Sequence, residues 1–360
     1  MGDRIIVGMS GGVDSSVAAA LLVEQGYDVV GVTLRVWPWK ESSDPMRKFG
    51  SCCSPETVDD ARQVAGKLGI PYYLLNSERE FDSAVIANFT REYLAGRTPV
   101  PCVVCNQKVK FGSLLHRAFA WEASAVATGH YARLETDPVT GRILLRKAKD
   151  SRKDQTDFLW PLTQEQLRHA RFPVGGLTKD EVRAKARSLG LRVADKPESQ
   201  EICFIPDKDY RGFLRHRDPG GFRPGHIIDR NGRILGAHQG LSAYTIGQRK
   251  GLGLSTGEPL YVVALKPESN TIVVGRKEEL EATALRATEM NFIPFDQLDG
   301  ALRVDAKIRH NHVPARATLY PSGEGEVAVS FDEPQRAITP GQSVVFYQDD
   351  LVVGGGIIAS

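Results

Sequence analysis

The sequence lacks several features that would place it in a special class of protein. Its 360 residues contain no apolar run of transmembrane length, and no signal-peptide pattern precedes the first predicted strand. The formal net charge is only +2, so any nucleic acid would have to be bound by local basic patches. Five cysteines in a chain of this length do not form a secreted disulfide framework. We expect a cytoplasmic protein of two or three domains with no membrane partner.

The glycine-rich segment SGGVDSS, Ser10 to Ser16, is the most informative feature that is present. It lies between two apolar segments and predicts a strand, a loop and a helix. Its two adjacent glycines let backbone N–H groups approach a phosphate, its serines add hydroxyl donors, and the helix start adds partial positive charge. Asp14 is a candidate magnesium ligand or helix cap. Because the loop has no lysine it is not a Walker loop, and we predict a nucleotide site rather than a turn without a ligand.

Strand and helix patterns alternate over about the first 130 residues. The predicted strands are Ile5–Met9, Val29–Leu34, Tyr72–Leu75 and Ala125–Thr128, and the predicted helices are Asp14–Gln25, Pro55–Leu68, Phe81–Leu94 and Lys110–Glu122. This alternation predicts an α/β fold with a doubly wound parallel sheet of the Rossmann-like kind, whose ligands lie at the carboxyl ends of the strands. From about residue 159 to 193 the pattern is helical again.

The character of the chain changes near residue 206, where glycine and proline become frequent and helical periodicity ends. Short alternating patterns near the carboxyl end predict the strands of a small barrel, namely Val304–Ile308, Ala317–Tyr320, Val327–Phe331 and Val344–Tyr347. We therefore predict an α/β domain over 1–205, a small β-rich domain over 206–276 and a β-barrel over 277–360.

Three of the five cysteines lie in polar or basic surroundings. Cys102 and Cys105 form a C-x-x-C motif in a proline-rich loop that is followed by Lys108 and Lys110, and Cys203 lies in the segment SQEICFIP. Nearby cations lower the pKa of a thiol, and the thiolate is the nucleophilic form. Because the chain also carries a loop typical of adenylating enzymes, we interpret these cysteines as the source of a reactive pair, the alternative being unrelated buried thiols.

The remaining cysteines, Cys52 and Cys53, are adjacent and precede a predicted helix. A structural zinc site would need two cysteine pairs with spacers, which this chain does not have. We interpret this pair as packing or helix-cap residues.

Several long segments occur in one order along nearly the whole chain: SGGVDSS, CNQKVKF, ATGHYAR, KDQTDFLW, SQEICFI, GLSAYTIGQRKGLG and KIRHNHVPARA. Together they resemble the bacterial tRNA-specific 2-thiouridylase family, and the first resembles the loop of N-type ATP pyrophosphatases. The resemblance implies an ATP-pyrophosphatase domain, a small central domain and a C-terminal β-barrel that contacts tRNA. It also implies two partners, a tRNA with a wobble uridine and a persulfide-donating sulfur-relay protein or cysteine desulfurase.

The resemblance further implies a reaction. ATP with Mg²⁺ adenylates the C2 oxygen of the uridine, and a cysteine persulfide then supplies sulfur, so that AMP and pyrophosphate are released. Cys203 matches the persulfide cysteine. Cys105, directly before Asn106, matches the nucleophile that helps to release the product through a disulfide.

Binding roles follow from the same resemblance, position by position. The positions that match ATP contacts are Gly8, Met9, Ser10, Gly11, Gly12, Val13, Asp14, Ser15, Leu34 and Gly129. The positions that match RNA contacts are Val100, Pro101 and Cys102, where the target base is held, and His130, Lys153, Asp154, Gln155, Arg309, His310 and Gln342.

One position departs from the family, since many members carry an aspartate where this chain has Cys102. Cys102, Cys105 and Cys203 together offer three thiols, which is a ligand set for a [4Fe–4S] cluster with one open iron. Sulfur would then be carried on that iron instead of on a protein persulfide. The sequence leaves both mechanisms open, and we favour the persulfide.

Two other functions remain as alternatives. An ATP-dependent amidating synthetase shares the glycine loop, but it does not need the cysteine pair and it needs an ammonia source, for which no glutaminase domain is visible. A non-enzymatic RNA-binding or redox-sensing protein that only binds ATP would release no pyrophosphate.

Overall fold

The computed structural model describes residues 2–37, 54–198, 202–205, 208–255 and 257–360. The predicted packing residues Cys52 and Cys53 lie outside these ranges. The chain forms two compact units. The first comprises Met1–Val85, Cys102–Lys208 and Asp350–Val352, and the second comprises Ile86–Pro101, Asp209–Asp349 and Val353–Ser360. The division into three domains stays a prediction.

The described residues contain the following secondary structure in chain order. The α-helices are α1 (Val13–Glu24), α2 (Pro55–Leu68), α3 (Glu78–Phe81), α4 (Ala87–Leu94), α5 (Pro101–Val104), α6 (Leu114–Ala120), α7 (Gln164–Arg168), α8 (Lys179–Ser188) and α9 (Tyr210–Arg217). The strands of the first unit are β1 (Arg4–Gly8), β2 (Asp28–Arg35), β3 (Tyr72–Asn76), β4 (Ala125–Thr128), β5 (Ala132–Thr136), β6 (Ile143–Lys147) and β7 (Ala170–Arg171). The later strands are β8 (Gly225–Ile228), β9 (Ile234–His238), β10 (Tyr261–Lys266), β11 (Thr271–Gly275), β12 (Glu281–Phe292), β13 (Leu302–Lys307), β14 (Ala315–Gly323), β15 (Glu326–Arg336), β16 (Ser343–Gln348) and β17 (Leu351–Ile358).

The first unit is built on a parallel sheet with the strand order β3-β2-β1-β4-β7. Ile6 of β1 pairs with Val30 on one side and with Val126 on the other, so β1 is a central strand, and this explains its uninterrupted apolar sequence. The strand order reverses between β1 and β4. A ligand of such a sheet binds at the carboxyl ends of these two strands, directly after Gly8 and Thr128. The predicted α/β class and parallel sheet are confirmed.

Small side chains let α1 pack closely on this sheet. Val17, Ala18 and Ala19 are fully buried there, in a core shared with residues of β1, β4, α2 and α8. Helix α2 begins and ends where the sequence predicts. Ser54 accepts a hydrogen bond from the Thr57 amide at 3.3 Å, and Gly69 closes the helix in the left-handed conformation at φ 68°.

Two predicted helices contain π-helical segments, so the expectation of regular helices was wrong there. Asp82–Ile86 separates α3 from α4, and Cys105–Ser113 precedes α6. A Cβ on Gly112 would lie 2.9 Å from the Gln107 carbonyl oxygen, so the wider turn needs glycine at this position. The side chain of Gln166 donates from Nε2 to the carbonyl oxygens of Gln107 and Phe111, each at 2.9 Å. These bonds occupy carbonyl groups that a regular α-helix would pair internally.

The expectation of a continuously helical pattern from 159 to 193 was also wrong in part. Residues Ala170–Arg171 form β7, which extends the sheet beside β4. The antiparallel hairpin β5–β6 was not predicted. Strand β7 was missed because two residues are too few to show an alternating pattern.

The second unit contains two β structures. In the four-stranded sheet β10-β11-β8-β9, a core forms around Ile227, Val262 and Ile272. Helix α9 in this region was not predicted from the sequence. Strands β12-β15-β14-β13-β16-β17 follow one another, and β12 also pairs with β17, so they close into the predicted barrel. No helix in the described part of the chain is long and apolar enough to cross a membrane.

Candidate active site

A cavity of about 350 Å³ opens in the first unit, at the carboxyl ends of β1, β2 and β4. It is lined by every position that the sequence analysis matched to ATP contacts, namely Gly8, Met9, Ser10, Gly11, Gly12, Val13, Asp14, Ser15, Leu34 and Gly129. The glycine loop and the two cysteines matched to catalysis, Cys105 and Cys203, therefore share one cavity.

The glycine loop leaves its backbone accessible at the start of α1. Gly11 has φ 68°, and a Cβ there would lie 2.1 Å from the Thr57 carbonyl oxygen. Gly12 is the N-cap of α1, and as a glycine it has no side chain with which to cap the helix. A Cβ on Gly129 would lie 2.5 Å from the Ser15 nitrogen, so the loop after β4 also needs glycine to approach α1. An uncapped helix start of this kind is suited to bind phosphate oxygens.

The serines of the loop divide into two groups. Ser15 Oγ accepts from the Ser10 amide at 3.2 Å and lies 3.3 Å from Ser10 Oγ, and both residues line the cavity. Ser16 is fully buried and donates to the Gly12 carbonyl at 2.8 Å. Ser15 Oγ also donates to this carbonyl, at 3.2 Å. Ser16 does not line the cavity, so the structure does not support the expectation that it supplies a ligand donor.

Asp14 is held by a lysine that the sequence analysis did not connect to it. The Nζ atom of Lys179 lies 2.7 Å and 2.8 Å from the two carboxylate oxygens of Asp14, and Tyr131 OH donates to Oδ1 at 2.7 Å. Burial, reinforced by this carboxylate, raises the pKa of Tyr131. Asp14 does not fit a magnesium site in this arrangement, because an ammonium and a hydroxyl proton occupy its oxygens.

Glu198 links two lysines of the same cavity. Its carboxylate lies 2.8 Å from Lys179 Nζ and 2.7 Å from Lys153 Nζ. Burial raises the pKa of Glu198, but the hydrogen bonds from these two lysines outweigh it and lower the pKa to about 2. Lys196 donates to the Gly11 carbonyl at 3.0 Å and to Asp60 at 2.6 Å.

The cavity wall carries more positive than negative side chains. Its lysines are Lys110, Lys153, Lys179 and Lys196, and its carboxylates are Asp14 and Glu198. This excess of cations fits an anionic ligand such as a triphosphate.

His130 forms another part of the wall. Its Nδ1 lies 2.6 Å from Thr128 Oγ1, and its ring lies near those of Phe111 and Phe172. Burial and the nearby charge of Lys110 lower the pKa of His130 well below its usual value. This histidine is therefore neutral at pH 7, and it can contact a ligand through hydrogen bonds but not through charge.

The structure separates Cys102 from the other two cysteines of interest. Cys105 and Cys203 are partly buried and line the cavity, whereas Cys102 is exposed and does not line it. Phe204 is buried and packs its ring against Phe81 at 5.7 Å, which anchors the segment that carries Cys203. Among the described residues no group of three potential ligands is placed to hold a metal ion. The residues therefore do not fit an iron–sulfur cluster in this conformation.

The segment matched to RNA contacts near residue 154 is used in two ways. Lys153 and Gln155 line the cavity, and Gln155 Oε1 accepts from the Tyr131 amide at 3.0 Å. Asp154 does not line it, since its carboxylate accepts from the Ala148 amide at 2.9 Å and from the Thr156 hydroxyl at 2.7 Å. These bonds give Asp154 a structural role in the loop.

The second unit has its own cavity of about 330 Å³, lined by Arg309 and Gln342 together with Arg336. Arg309 donates to the Arg336 carbonyl at 3.0 Å, and Gln342 donates to the Thr98 carbonyl at 2.8 Å.

Three further positions matched to RNA contacts line neither cavity. His310 is exposed, Val100 is partly buried and Pro101 is buried.

The sequence analysis missed the residues that organise the first cavity, namely Tyr131, Lys179, Lys196 and Glu198. Lys179 lies directly after Thr178, the N-cap of α8, and this local pattern marks only the start of a helix. Lys179 and Asp14 are 165 residues apart, and no local pattern joins them.

The sheet, the glycine loop and the lysine-lined cavity define an α/β nucleotide-binding protein. Family models support this class: residues 3–207 match a tRNA methyl transferase HUP domain, residues 212–276 a PRC-barrel domain and residues 282–358 an aminomethyltransferase β-barrel domain. The tRNA-specific 2-thiouridylase MnmA of Acetivibrio thermocellus is 52% identical over 99% of both chains. That of Heliobacterium modesticaldum is 53% identical over 99% of this chain and 93% of its own. The chain belongs to the tRNA-specific 2-thiouridylase family, whose members are sulfurtransferases.

The chain also has a more distant likeness to a solved structure. A 4-thiouridine synthetase in complex with RNA and bound ATP is 16% identical, covering 61% of this chain and 51% of its own with a TM-score of 0.35.

Proposed function

We propose that this protein thiolates C2 of the wobble uridine in tRNA, with ATP as the activating substrate and a persulfide on Cys203 as the immediate sulfur source. One observation carries the proposal: Cys105 and Cys203 line the same cavity as the glycine loop. An adenylating site and a sulfur-transfer site must share one cavity, because the adenylated uridine is the molecule that the sulfur attacks. We also propose that the enzyme works in the cytoplasm, where tRNA is modified.

ATP binding in this proposal uses the uncapped start of α1 and the surrounding lysines. Backbone N–H groups of the loop bind phosphate oxygens, and Lys179 and Lys196 balance their charge. Lys179 then supplies the cation that a Walker loop would carry within the loop itself. Adenylation turns the C2 oxygen of uridine into a leaving group, with release of pyrophosphate.

Sulfur transfer follows in two steps. The terminal sulfur of the Cys203 persulfide attacks C2, the C2–O bond breaks and AMP leaves. The Cys105 thiolate then attacks the Sγ atom of Cys203, and breaking of the S–S bond releases the 2-thiouridine with the electron pair on its sulfur. This leaves a Cys105–Cys203 disulfide, which an external dithiol reduces, and a sulfur-relay protein or cysteine desulfurase renews the persulfide.

The base must leave its stack to reach this cavity. Unstacking costs little in an anticodon loop, where bases are already splayed out. Lys153 and Gln155 line the cavity, and Arg309 and Gln342 line the cavity of the second unit. We propose that these four side chains contact the tRNA.

The cluster mechanism remains an alternative for the same reaction. It requires Cys102, Cys105 and Cys203 as ligands together, and the exposed position of Cys102 outside the cavity does not favour it.

The test measures AMP and 2-thiouridine together. Anaerobically purified enzyme receives Mg-ATP, a persulfide donor and unmodified tRNA, and the iron content of the same preparation is recorded. We expect thiolation without iron, its loss in Cys203→Ser and Cys105→Ser, and its retention in Cys102→Ser. Two results together would favour the cluster: loss of thiolation in Cys102→Ser, and thiolation by the parent enzyme only when iron is bound. Absence of tRNA-dependent AMP from the parent enzyme would contradict the proposed function as a whole.

A further inference from the structure

The nine-residue π-helix Cys105–Ser113 places a thiol and an ammonium group in one cavity wall. Cys105 and Lys110 both line the cavity, and both lie on this π-helix. Residues five apart in a π-helix are joined by its i→i+5 hydrogen bonds and lie near the same face. In an α-helix the same two residues would point about 140° apart.

The chain maintains this register with specific contacts. Gly112 allows close approach to the Gln107 carbonyl, and Gln166 binds two carbonyls of the π-helix. Asn106 and Gln107 donate from their side chains to the carbonyl oxygens of Phe158 and Pro161, each at 3.0 Å. The π-helix is therefore a supported feature that sets which side chains face the cavity.

Lys110 differs from the other cavity lysines in its partners. Lys153 and Lys179 are bound to Glu198, and Lys196 is bound to Asp60. Within the described ranges no carboxylate lies within 4 Å of Lys110. Its charge nevertheless acts on the cavity wall, because burial and the charge of Lys110 together lower the pKa of His130.

We propose that Lys110 holds Cys105 as a thiolate at neutral pH, so that Cys105 is ready to attack the Cys203 sulfur. Lys110 acts through Cys105 and is a positioning residue. The proposal deepens the proposed function, on which the role of Cys105 as nucleophile rests. It also separates Lys110 from Lys108, which is exposed and does not line the cavity.

Most of the other charged groups that face this cavity are paired with a group of opposite charge. Asp14 and Glu198 would disfavour a thiolate, but both are bound to Lys179, and Glu198 also to Lys153. His130 is neutral, and Tyr131 keeps its proton because burial and Asp14 raise its pKa. Among the described residues of the wall, the other titratable groups are Cys203 and Lys196, and Lys196 is bound to Asp60. Within this described set, Lys110 is the lysine that no carboxylate binds.

The test is the pH profile of Cys105 alkylation. The full-length Cys102→Ser protein is reduced and treated with iodoacetamide between pH 5 and 10, and modification of Cys105 is followed by peptide mass spectrometry. We expect Lys110→Met to raise the midpoint of the profile by about one pH unit and, for a parent midpoint at or just below neutral pH, to slow alkylation at pH 6.5 by about three- to sixfold. Lys110→Arg should keep the parent midpoint, because it keeps the charge.

Lys108→Met is the matched control and should leave the midpoint unchanged. An unchanged midpoint in Lys110→Met, or an equal shift in Lys108→Met, overturns the proposal. A purely structural effect of Lys110 would change the rate at every pH without moving the midpoint. Since alkylation needs no ATP, tRNA or sulfur donor, this result is independent of whether the enzyme thiolates tRNA.

Discussion

Lys179 shows how one side chain connects distant parts of the chain at the residue scale. Its side chain is only 7% exposed, and its ammonium group contacts the carboxylates of Asp14 and Glu198. A nearly buried cation between two carboxylates is stable only while both partners remain. The glycine loop, α8 and the segment after residue 195 therefore depend on this lysine.

We expect Lys179→Met to reduce tRNA-dependent AMP release about 10²- to 10³-fold, the usual effect of removing one donor to developing charge. Lys185→Met, on the solvent side of the same helix, removes a surface pair with Glu24 and should leave the rate nearly unchanged. Rates are measured at saturating ATP, and thermal unfolding confirms that both variants fold. Equal rates in the two variants would contradict a role for Lys179 in adenylation.

His130 predicts a pH dependence of folding stability. Because its pKa in the folded protein lies well below that in the unfolded chain, the unfolded state binds more protons below about pH 6.5. Stability should therefore fall as the pH drops below 6.5, by at most about 1.4 kcal/mol per pH unit from this group. Urea unfolding between pH 7 and 5 should show a weaker dependence in His130→Asn than in the parent. His116→Asn, which changes an exposed histidine on α6, should match the parent.

At the residue scale, the sequence identified those residues of the cavity that belong to a recognisable local motif. The glycine loop, Gly129, Cys105 and Cys203, which a local motif and a family resemblance singled out, all line the cavity. The roles assigned to them stay predictions. Lys179 and Glu198 were missed, because a tertiary ion pair leaves no local pattern. Asp154 was matched to an RNA contact, and that match stays a prediction; its carboxylate accepts hydrogen bonds from Ala148 and Thr156.

The π-helix illustrates the limits of prediction at the scale of elements. Strands β1 to β4 and helices α1 and α2 lie within a residue or so of their predicted bounds, because apolar runs and capping residues mark them. A π-turn differs from an α-turn by about one residue, and the apolar pattern of a short segment does not distinguish them. The two-residue strand β7 is defined by pairing with β4 and not by its own sequence.

Two glycines in helices should respond oppositely to substitution by alanine. Gly112→Ala places a Cβ against the Gln107 carbonyl and should destabilise the protein by about 1–3 kcal/mol. Gly66→Ala, in α2, meets no atom within 4 Å and should stabilise it by about 0.5–1 kcal/mol through higher helix propensity. Urea unfolding measures both changes. A neutral Gly112→Ala would mean that the π-helix relaxes without cost.

At the scale of the whole molecule, the net charge of +2 is too small to attract a nucleic acid, so binding depends on where the positive side chains are clustered. The lysines of the first cavity and the arginines of the second are local concentrations of positive charge. Binding to RNA should accordingly involve few phosphates and depend only moderately on salt.

Arg309 provides a test of this view. Arg309→Gln should weaken tRNA binding and reduce the slope of log K against log salt concentration by about 0.7–1, because one phosphate fewer is neutralised by the protein. Arg303→Gln is the control, because Arg303 lies nearby in sequence on β13 and is paired with Asp332 at 2.6 Å. Filter binding at several salt concentrations measures both slopes. Identical slopes for the two variants would place the RNA away from Arg309.

At the uncapped start of α1, selection for helix stability conflicts with selection for phosphate binding. A side-chain cap at Gly12 would stabilise a typical helix, yet it would occupy the amides that a phosphate needs. Natural variation that improves heat resistance should therefore accumulate elsewhere in the chain. Directed evolution for thermostability alone would be expected to erode catalysis at this loop first, so selection for activity must accompany it.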